Sequence, residues 1–343
     1  MRVLLIKTSS MGDIIHALPA LTDAGNAIPG IRFDWAIEDA FAEIPRWHPL
    51  VDKIIPVSLR RWRKELFSKR TRAEWKVLRQ QLQETKYDLI LDAQGLVKSS
   101  FLTWLAQGKR AGLDWKSARE PLASLAYQDK HNVNYHQHAI VRIRQLFSLG
   151  LNYECPKTSP DFGIDKTIFK PLSQGASENN YLVFLHGTMW TTKQWPENYW
   201  VALAKLAEVN GYRVKISGGN ADEVARAHRI AAQSQAVDVI PRLAIGEMAA
   251  LLVNAKGAVA VDTGFGHLAA ALEVPTVSIY GPTNPEYTGA LGHHSAHLAA
   301  NFPCAPCLSR SCDYKAPSAV HPACFGTVPP ANVWRTISLL VHK

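Results

Sequence analysis

The chain has 343 residues, 47% of them hydrophobic and 20% charged, the balance of a globular protein long enough for two ordinary domains. No apolar run approaches the roughly 18 residues of a membrane span, and the apolar part of Met1–Thr8 is too short for a signal peptide, so the sequence places the protein in the cytoplasm. A net charge of +9 points to a polyanionic partner: a phosphorylated substrate, an anionic lipid surface or nucleic acid.

In chain order, Val3–Ile6 reads as a strand, Lys7–Asp13 as a small polar turn and Ile14–Leu21 as the opening of a helix. The unit lacks the GxGxxG spacing of a dinucleotide fold. Asp13 stands where the helix begins, and a carboxylate there also suits the helix dipole, so capping accounts for it as well as chemistry does. Further strands are expected at 32–37, 53–57 and 87–92, the last ending in Ala93-Gln94-Gly95, with a helical pattern from Ser99 to Leu105. Strands alternating with helices predict a parallel sheet covered on both faces. Between the third and fourth strands, nine cations from Arg60 to Arg79 face only Glu65 and Glu74, with Trp62 and Trp75 interleaved. A solvated helix face is the plain reading of a charge run, but so uneven a balance favours an anion-binding surface. Basic groups with tryptophan also suit a membrane interface. Lys98, Arg119, His136 and His138 can extend it.

Leu172–Asn180 has the composition of a linker, and the alternation then restarts. Strands are expected at 181–186, 212–216, 237–240, 258–261 and 276–280, and an amphipathic helix at 331–342. Polar groups gather after these strands. Thr188, Thr191, Thr192 and Lys193 follow the first, and Asp222 and Glu223 follow Gly218-Gly219. Asp262-Thr263-Gly264 with Gly266 and His267 follows the fourth. An apolar strand, a small polar turn and a helix start form an anion site, where N–H groups and the helix dipole meet a phosphate. Asp262 or Thr263 can cap the helix, Gly264 and Gly266 admit close approach, and His267 can donate to a phosphate oxygen. Lys193 can neutralise a diphosphate as a point charge. Either Glu223 or Asp222 can accept from ribose hydroxyls. Four of the five cysteines, Cys304, Cys307, Cys312 and Cys324, crowd one late segment. Cys304 and Cys307 have zinc-knuckle spacing, but the uneven spacing of the others favours reduced, packed thiols.

Ser9-Ser10-Met11-Gly12-Asp13-Ile14-Ile15-His16, Lys193-x-Trp195-Pro196, and Asp262-Thr263-Gly264-x-Gly266-His267 with Tyr280-Gly281-Pro282-Thr283 resemble one family. It is glycosyltransferase family 9, the bacterial lipopolysaccharide heptosyltransferases, and the likeness is nearest to members that act first on the Kdo-lipid A core. It covers almost the whole chain. The resemblance implies an α/β GT-B fold, two Rossmann-like doubly wound domains facing a central cleft. Residues 1–172 would bind the acceptor and 181–328 would bind ADP-heptose, with the C-terminal helix, 329–343, packing back on the first domain. It further implies inverting transfer of heptose from ADP-L-glycero-β-D-manno-heptose to a Kdo hydroxyl of Kdo2-lipid A. No metal or other cofactor is needed, nucleic acid is not a partner, and the protein is peripheral on the anionic inner face of the cytoplasmic membrane.

Carried over by position, Asp13 is the general base, and Lys193 with Thr263, Gly264 and His267 stabilises the departing diphosphate. Thr188 and Thr192 assist, Glu223 contacts ribose and Asp262 binds the heptose. Arg60, Arg61, Arg63 and Lys64 hold the acceptor, joined by Lys98, Arg119 and His138, and a hinge near Gly175 closes the domains. The segment Asn301–Phe325 departs from this pattern: it resembles the tail of members that add later heptoses. A later heptose, or another nucleotide sugar, is therefore the alternative. A basic nucleic-acid-binding protein is the remote one, since it accounts for neither Lys193 nor the Asp262 turn.

Overall fold

The computed structural model describes residues 1–65, 67–170 and 180–342. The expected hinge near Gly175 and nearly all of the expected linker lie outside the described residues. The chain divides into two compact units, Met1–Asp165 and Lys166–Lys343.

Among the described residues, the first unit holds strands β1 (Arg2–Ile6), β2 (Arg32–Glu38), β3 (Val51–Val57), β4 (Leu89–Asp92), β5 (Arg110–Leu113) and β6 (Asp129–His131). All neighbours pair in parallel, in the order β3-β2-β1-β4-β5-β6. Its helices are α1 (Met11–Ile15), α2 (Leu18–Ala27), α3 (Leu59–Trp62), α4 (Lys69–Gln83), α5 (Val97–Leu105) and α6 (Ala139–Leu151). The second unit holds β7 (Tyr181–Leu185), β8 (Arg213–Ile216), β9 (Val237–Val239), β10 (Gly257–Val261), β11 (Thr276–Tyr280) and β12 (Ser295–Ala299). They form a parallel sheet in the order β12-β11-β10-β7-β8-β9, the same topology when counted from its own first strand. Its helices are α7 (Glu197–Val209), α8 (Ala221–Ala231), α9 (Ile245–Val253), α10 (Gly264–Ala271), α11 (Pro285–Thr288) and α12 (Pro330–Val341). The central strands β7, β10 and β11 are buried along their whole length, as a sheet covered on both faces requires.

Three features differ from the sequence expectation. The helix expected from Ile14 is two helices, because Pro19 has no N–H to continue the ladder of α1 but fits the first turn of α2. Strands β5, β6 and β12 were not expected; β5 and β6 are short, and all three carry glycine, charge or histidine in place of an apolar run. The C-terminal helix α12, expected on the first domain, packs on α7, β10 and β11 of the second unit. Its stripe of Val333 and Ile337 is fully buried there, and Trp334 meets Tyr212 edge-on. Gly257 makes room for it, since a Cβ at that position would stand 3.0 Å from the Ile337 side chain.

In the first unit the buried Arg144 guanidinium makes two hydrogen bonds to the buried Asp23 carboxylate and one to the Thr158 carbonyl, tying α6 to α2. No described helix is long and apolar enough to cross a membrane.

Candidate active site

In open sheets of this topology, ligands bind beyond the carboxyl ends of the strands where the order reverses. Here the reversals fall between β1 and β4 and between β7 and β10. Each unit carries its expected polar residues at that point.

In the first unit, β1 runs into Lys7–Ser10 and β4 into Ala93–Leu96. The Thr8 and Ser9 N–H groups donate to Gln94 Oε1 at 3.0 and 3.2 Å, and Lys7 Nζ donates to the Ala93 carbonyl at 3.1 Å. These bonds fix the turn that leads into α1. Asp13 lies in the first turn of α1, half-buried, and its Oδ2 accepts from the Ser10 N–H at 2.7 Å and the Ser10 hydroxyl at 2.8 Å. The capping role is therefore real, and both bonds use the same oxygen. Lys7 is buried behind it; burial pushes its ammonium below the ordinary lysine range, against the raising charges of Asp13 and Asp92. Arg142 and Arg119 lower it further. Asp92 is itself fully buried, and burial raises its carboxyl despite hydrogen bonds from Tyr127, Ser99 and two backbone N–H groups.

The expected acceptor residues divide into two sets. Arg119 belongs to the charge cluster around Lys7, whereas Lys98 is exposed in the first turn of α5. His138 caps α6, its Nδ1 accepting from the Ile140 N–H, and its ring meets His16 edge-on with centroids 5.5 Å apart. Arg60, Arg63 and Lys64 are exposed around α3. Glu38 joins that helix to the end of β1: its N–H donates to the Thr8 carbonyl and its carboxylate accepts from the Arg60 N–H at 3.1 Å. Arg61 is different. Its guanidinium is bound to Glu74, which also accepts from Trp62 Nε1 at 2.6 Å and Arg70 at 3.0 Å. The Trp62 bond first, then Arg61, pulls Glu74 down to about 2. Part of the basic run thus braces α3 against α4.

In the second unit, Asp262 follows the last residue of β10, and Thr263 is the N-cap position of α10. Asp262 is 9% exposed and ringed by partners. Lys193 Nζ lies 2.7 Å from its Oδ2, the Thr283 hydroxyl donates to the same oxygen at 2.7 Å, and His267 Nε2 stands 3.8 Å from Oδ1. Burial alone would raise this carboxyl, but His267 and Lys193 hold it well below the usual carboxylate range. Thr188 donates its hydroxyl to the Asp262 carbonyl at 3.3 Å. Gly266 lets α10 lie close on its strand, since a Cβ there would be 2.9 Å from that of Ala260. Lys193 closes a 3-10 turn, Thr191–Lys193, with its ammonium 4.6 Å over the Trp190 ring. Thr192 is buried and donates its hydroxyl to the Ser309 carbonyl at 2.7 Å, so its side chain braces the turn. Glu223 rather than Asp222 is turned toward the end of β7. It accepts from the Gly219 N–H at 2.7 Å, and a Cβ on Gly187 would come within 2.6 Å of its Oε2, whereas Asp222 is exposed.

Lys7, Gln94 and Trp190 were not given a site role by sequence, and Thr283 was quoted only within the motif Tyr280-Gly281-Pro282-Thr283. Only the strand pairing shows which end-of-strand residues meet. Cys304, Cys307, Cys312 and Cys324 line one cavity of about 340 Å³ together with Thr192 and Pro282. Burial, then the three neighbouring thiols, pushes Cys324 up to about 11. Among the described residues no group of three or more His, Cys, Asp or Glu is gathered to hold a metal ion, and all five cysteines are free.

A helix start with a lysine beside it, in a sheet of this order, is suited to an anion such as a nucleotide diphosphate. Residues 75–317 match the model of glycosyltransferase family 9 (heptosyltransferase). The chain belongs to that family. It is similar to lipopolysaccharide heptosyltransferase 1 of Pseudomonas aeruginosa, 53% identical over 316 residues, which span 92% of this chain and 88% of the relative. The Escherichia coli protein of the same name is 49% identical over 293 residues, 85% of this chain and 91% of the relative. Among solved structures, E. coli heptosyltransferase WaaC with ADP-2-deoxy-2-fluoro heptose superposes with a TM-score of 0.84 at 42% identity, covering 99% of both chains. The fold is GT-B, and the activity is heptosyl transfer in lipopolysaccharide inner-core synthesis.

Proposed function

We propose that the enzyme moves L-glycero-D-manno-heptose, with inversion, from ADP-L-glycero-β-D-manno-heptose to a Kdo hydroxyl of Kdo2-lipid A. The observation that carries the reading is the Asp262, Lys193 and His267 constellation at the start of α10, in a chain whose relatives over most of its length are named heptosyltransferase 1. An ADP-heptose analogue bound to one relative supports the donor.

In this mechanism Asp13 accepts the proton of the attacking Kdo hydroxyl. The new bond forms from that oxygen to the anomeric carbon as the bond to the diphosphate breaks, on the opposite face. Positive charge developing on the sugar resembles that in glycoside cleavage. The leaving ADP takes the electron pair, and its growing negative charge meets the Lys193 ammonium, His267 and the N–H groups after Thr263 and Gly264. No metal is required, because these cations and dipoles carry the charge. Asp262 positions Lys193 and His267, and its Oδ1, which has His267 no nearer than 3.8 Å, accepts from the heptose. Thr188 steadies the Asp262 backbone, Thr192 steadies the lysine turn, and Glu223 accepts from the ribose hydroxyls. Arg60, Arg63 and Lys64, with Lys98, Arg119 and His138, bind the phosphates and carboxylates of the acceptor at the anionic inner face of the membrane, with Arg61 as their brace.

The test is to supply ADP-heptose and Kdo2-lipid A to the purified enzyme and follow ADP release. Release that depends on both substrates supports the reading. Release only with an acceptor already bearing one heptose would assign the enzyme to a later step, the assignment that the segment 301–325 favours. No release with either acceptor would overturn both.

A further inference from the structure

Helix α5 has an apolar outer side. Val97, Phe101 and Trp104, at positions i, i+4 and i+7, are 47%, 53% and 59% exposed. The 3-10 helix Pro121–Ala126, packed against α5, adds Leu122 and Leu125 at 60% and 64%. Both elements are firmly seated, since Leu102 and Thr103 of α5 and Ala123 and Ser124 of the 3-10 helix are buried. One exposed leucine is ordinary on a protein surface, but five large apolar side chains on two adjoining elements mark a contact face.

Cations surround it. Helix α4 adjoins α5 and presents Arg72, Lys76 and Arg79, again at i, i+4 and i+7, all exposed. Trp75 of α4 links the two helices, its ring 6.0 Å from Phe101 and 4.9 Å from Trp62. Lys98 is exposed in the first turn of α5, and the Arg110 guanidinium lies 4.4 Å over the Trp104 ring. Of the nearby acids, Glu74 is paired with Arg61 and Arg70 and Glu84 with Lys53, while Glu120 accepts from the Val97 N–H at 2.7 Å and keeps its charge. Apolar and aromatic side chains beside an excess of arginine and lysine over acid match a layer of anionic headgroups over acyl chains.

We propose that α5, the 3-10 helix Pro121–Ala126 and the basic stripe of α4 form the surface by which this protein docks on an anionic lipid bilayer. Phe101, Trp104, Leu122 and Leu125 enter the boundary between headgroups and acyl chains, while Lys76, Arg79 and their neighbours hold the headgroup phosphates. The proposal adds a specific surface to the peripheral-membrane reading above, and it stands on its own side chains whichever acceptor is used.

The experiment is co-sedimentation of the full chain, without substrate, with vesicles of phosphatidylcholine alone and of phosphatidylcholine mixed with phosphatidylglycerol. The unmodified protein should partition onto the anionic vesicles and come off with rising salt. Two apolar variants, Phe101→Ser with Trp104→Ser and Leu122→Ser with Leu125→Ser, and one charge variant, Lys76→Glu with Arg79→Glu, should each bind about tenfold more weakly or worse. ADP affinity and transfer to a water-soluble Kdo-bearing acceptor should stay unchanged, while transfer to acceptor embedded in vesicles should fall. Three results would overturn the proposal: no binding of the unmodified protein to anionic vesicles, binding of all variants like the unmodified protein, or conversion of an oligomer to a monomer by the apolar variants, which would make the face a contact between copies. Sedimentation needs no turnover, so a failure of the heptosyl assignment would leave this readout intact.

Discussion

The two units share one strand order and put opposite chemistry at the same place in it. At the β1/β4 reversal, the first unit leaves a half-buried carboxylate, Asp13, held through one oxygen by Ser10. At the β7/β10 reversal, the second unit encloses a carboxylate, Asp262, among Lys193, His267 and Thr283. One arrangement suits accepting a proton, the other suits gripping a diphosphate. The doubly wound fold fixes where function sits, and a few side chains after each strand decide what that function is.

The contrast is broken most sharply by removing Asp13, the proposed proton acceptor. Asp13→Ala should lower turnover by about 10²–10⁴-fold, the usual contribution of a positioned general base, measured as ADP release at saturating substrates. A variant that instead unfolds at lower temperature with little change in turnover would make Asp13 a cap and nothing more. The first unit should be separable from the second by stability as well. Arg144→Ala leaves Asp23 buried and unpaired, and should cost about 3–5 kcal/mol in urea unfolding. Intrinsic ADP affinity should be spared in protein that remains folded.

Acid should weaken both units alike. His48 in the first and His186 in the second are each lowered to about 4, chiefly by burial, from an ordinary value of 6.5. The unfolded chain binds protons there that the folded chain refuses. The stability is therefore fully present above about pH 6.5 and is lost as pH falls toward 4, by up to about 3 kcal/mol per histidine. Melting curves across that window check it, and a flat profile would contradict it. On the donor side, Lys193→Ala should reduce kcat/KM about 10–100-fold, the worth of one charged hydrogen bond to the diphosphate. The smallest expected effect is none: chelation should leave transfer unchanged, and a loss restored by added metal would return the four clustered cysteines to the account.

How much of this could be read from the sequence follows from how local each signal is. The apolar strands bounded by small polar turns gave the alternating architecture, and Asp13, Lys193 and Asp262 stood at strand ends that pattern alone could mark. What pattern could not carry was long-range. The short edge strand Asp129–His131 has no apolar run to betray it and exists through pairing with β5. Helix α12 shows an apolar stripe, but only the space left by Gly257 tells which sheet receives it. Lys7 reads as one more turn lysine until β4 is laid beside β1, when its buried ammonium donates to the Ala93 carbonyl and feels the charges of Asp13 and Asp92. Thr192 and Arg61, expected as ligand contacts, also brace their own unit, which no local pattern showed.

The division of labour between the two reversals is tested most directly by titrating ADP into Asp13→Ala and Lys193→Ala side by side. ADP should bind the first variant as it binds the unmodified enzyme and bind the second at least about tenfold more weakly. Equal losses in both variants, or none in Lys193→Ala, would contradict the assignment of proton acceptance to one unit and diphosphate binding to the other.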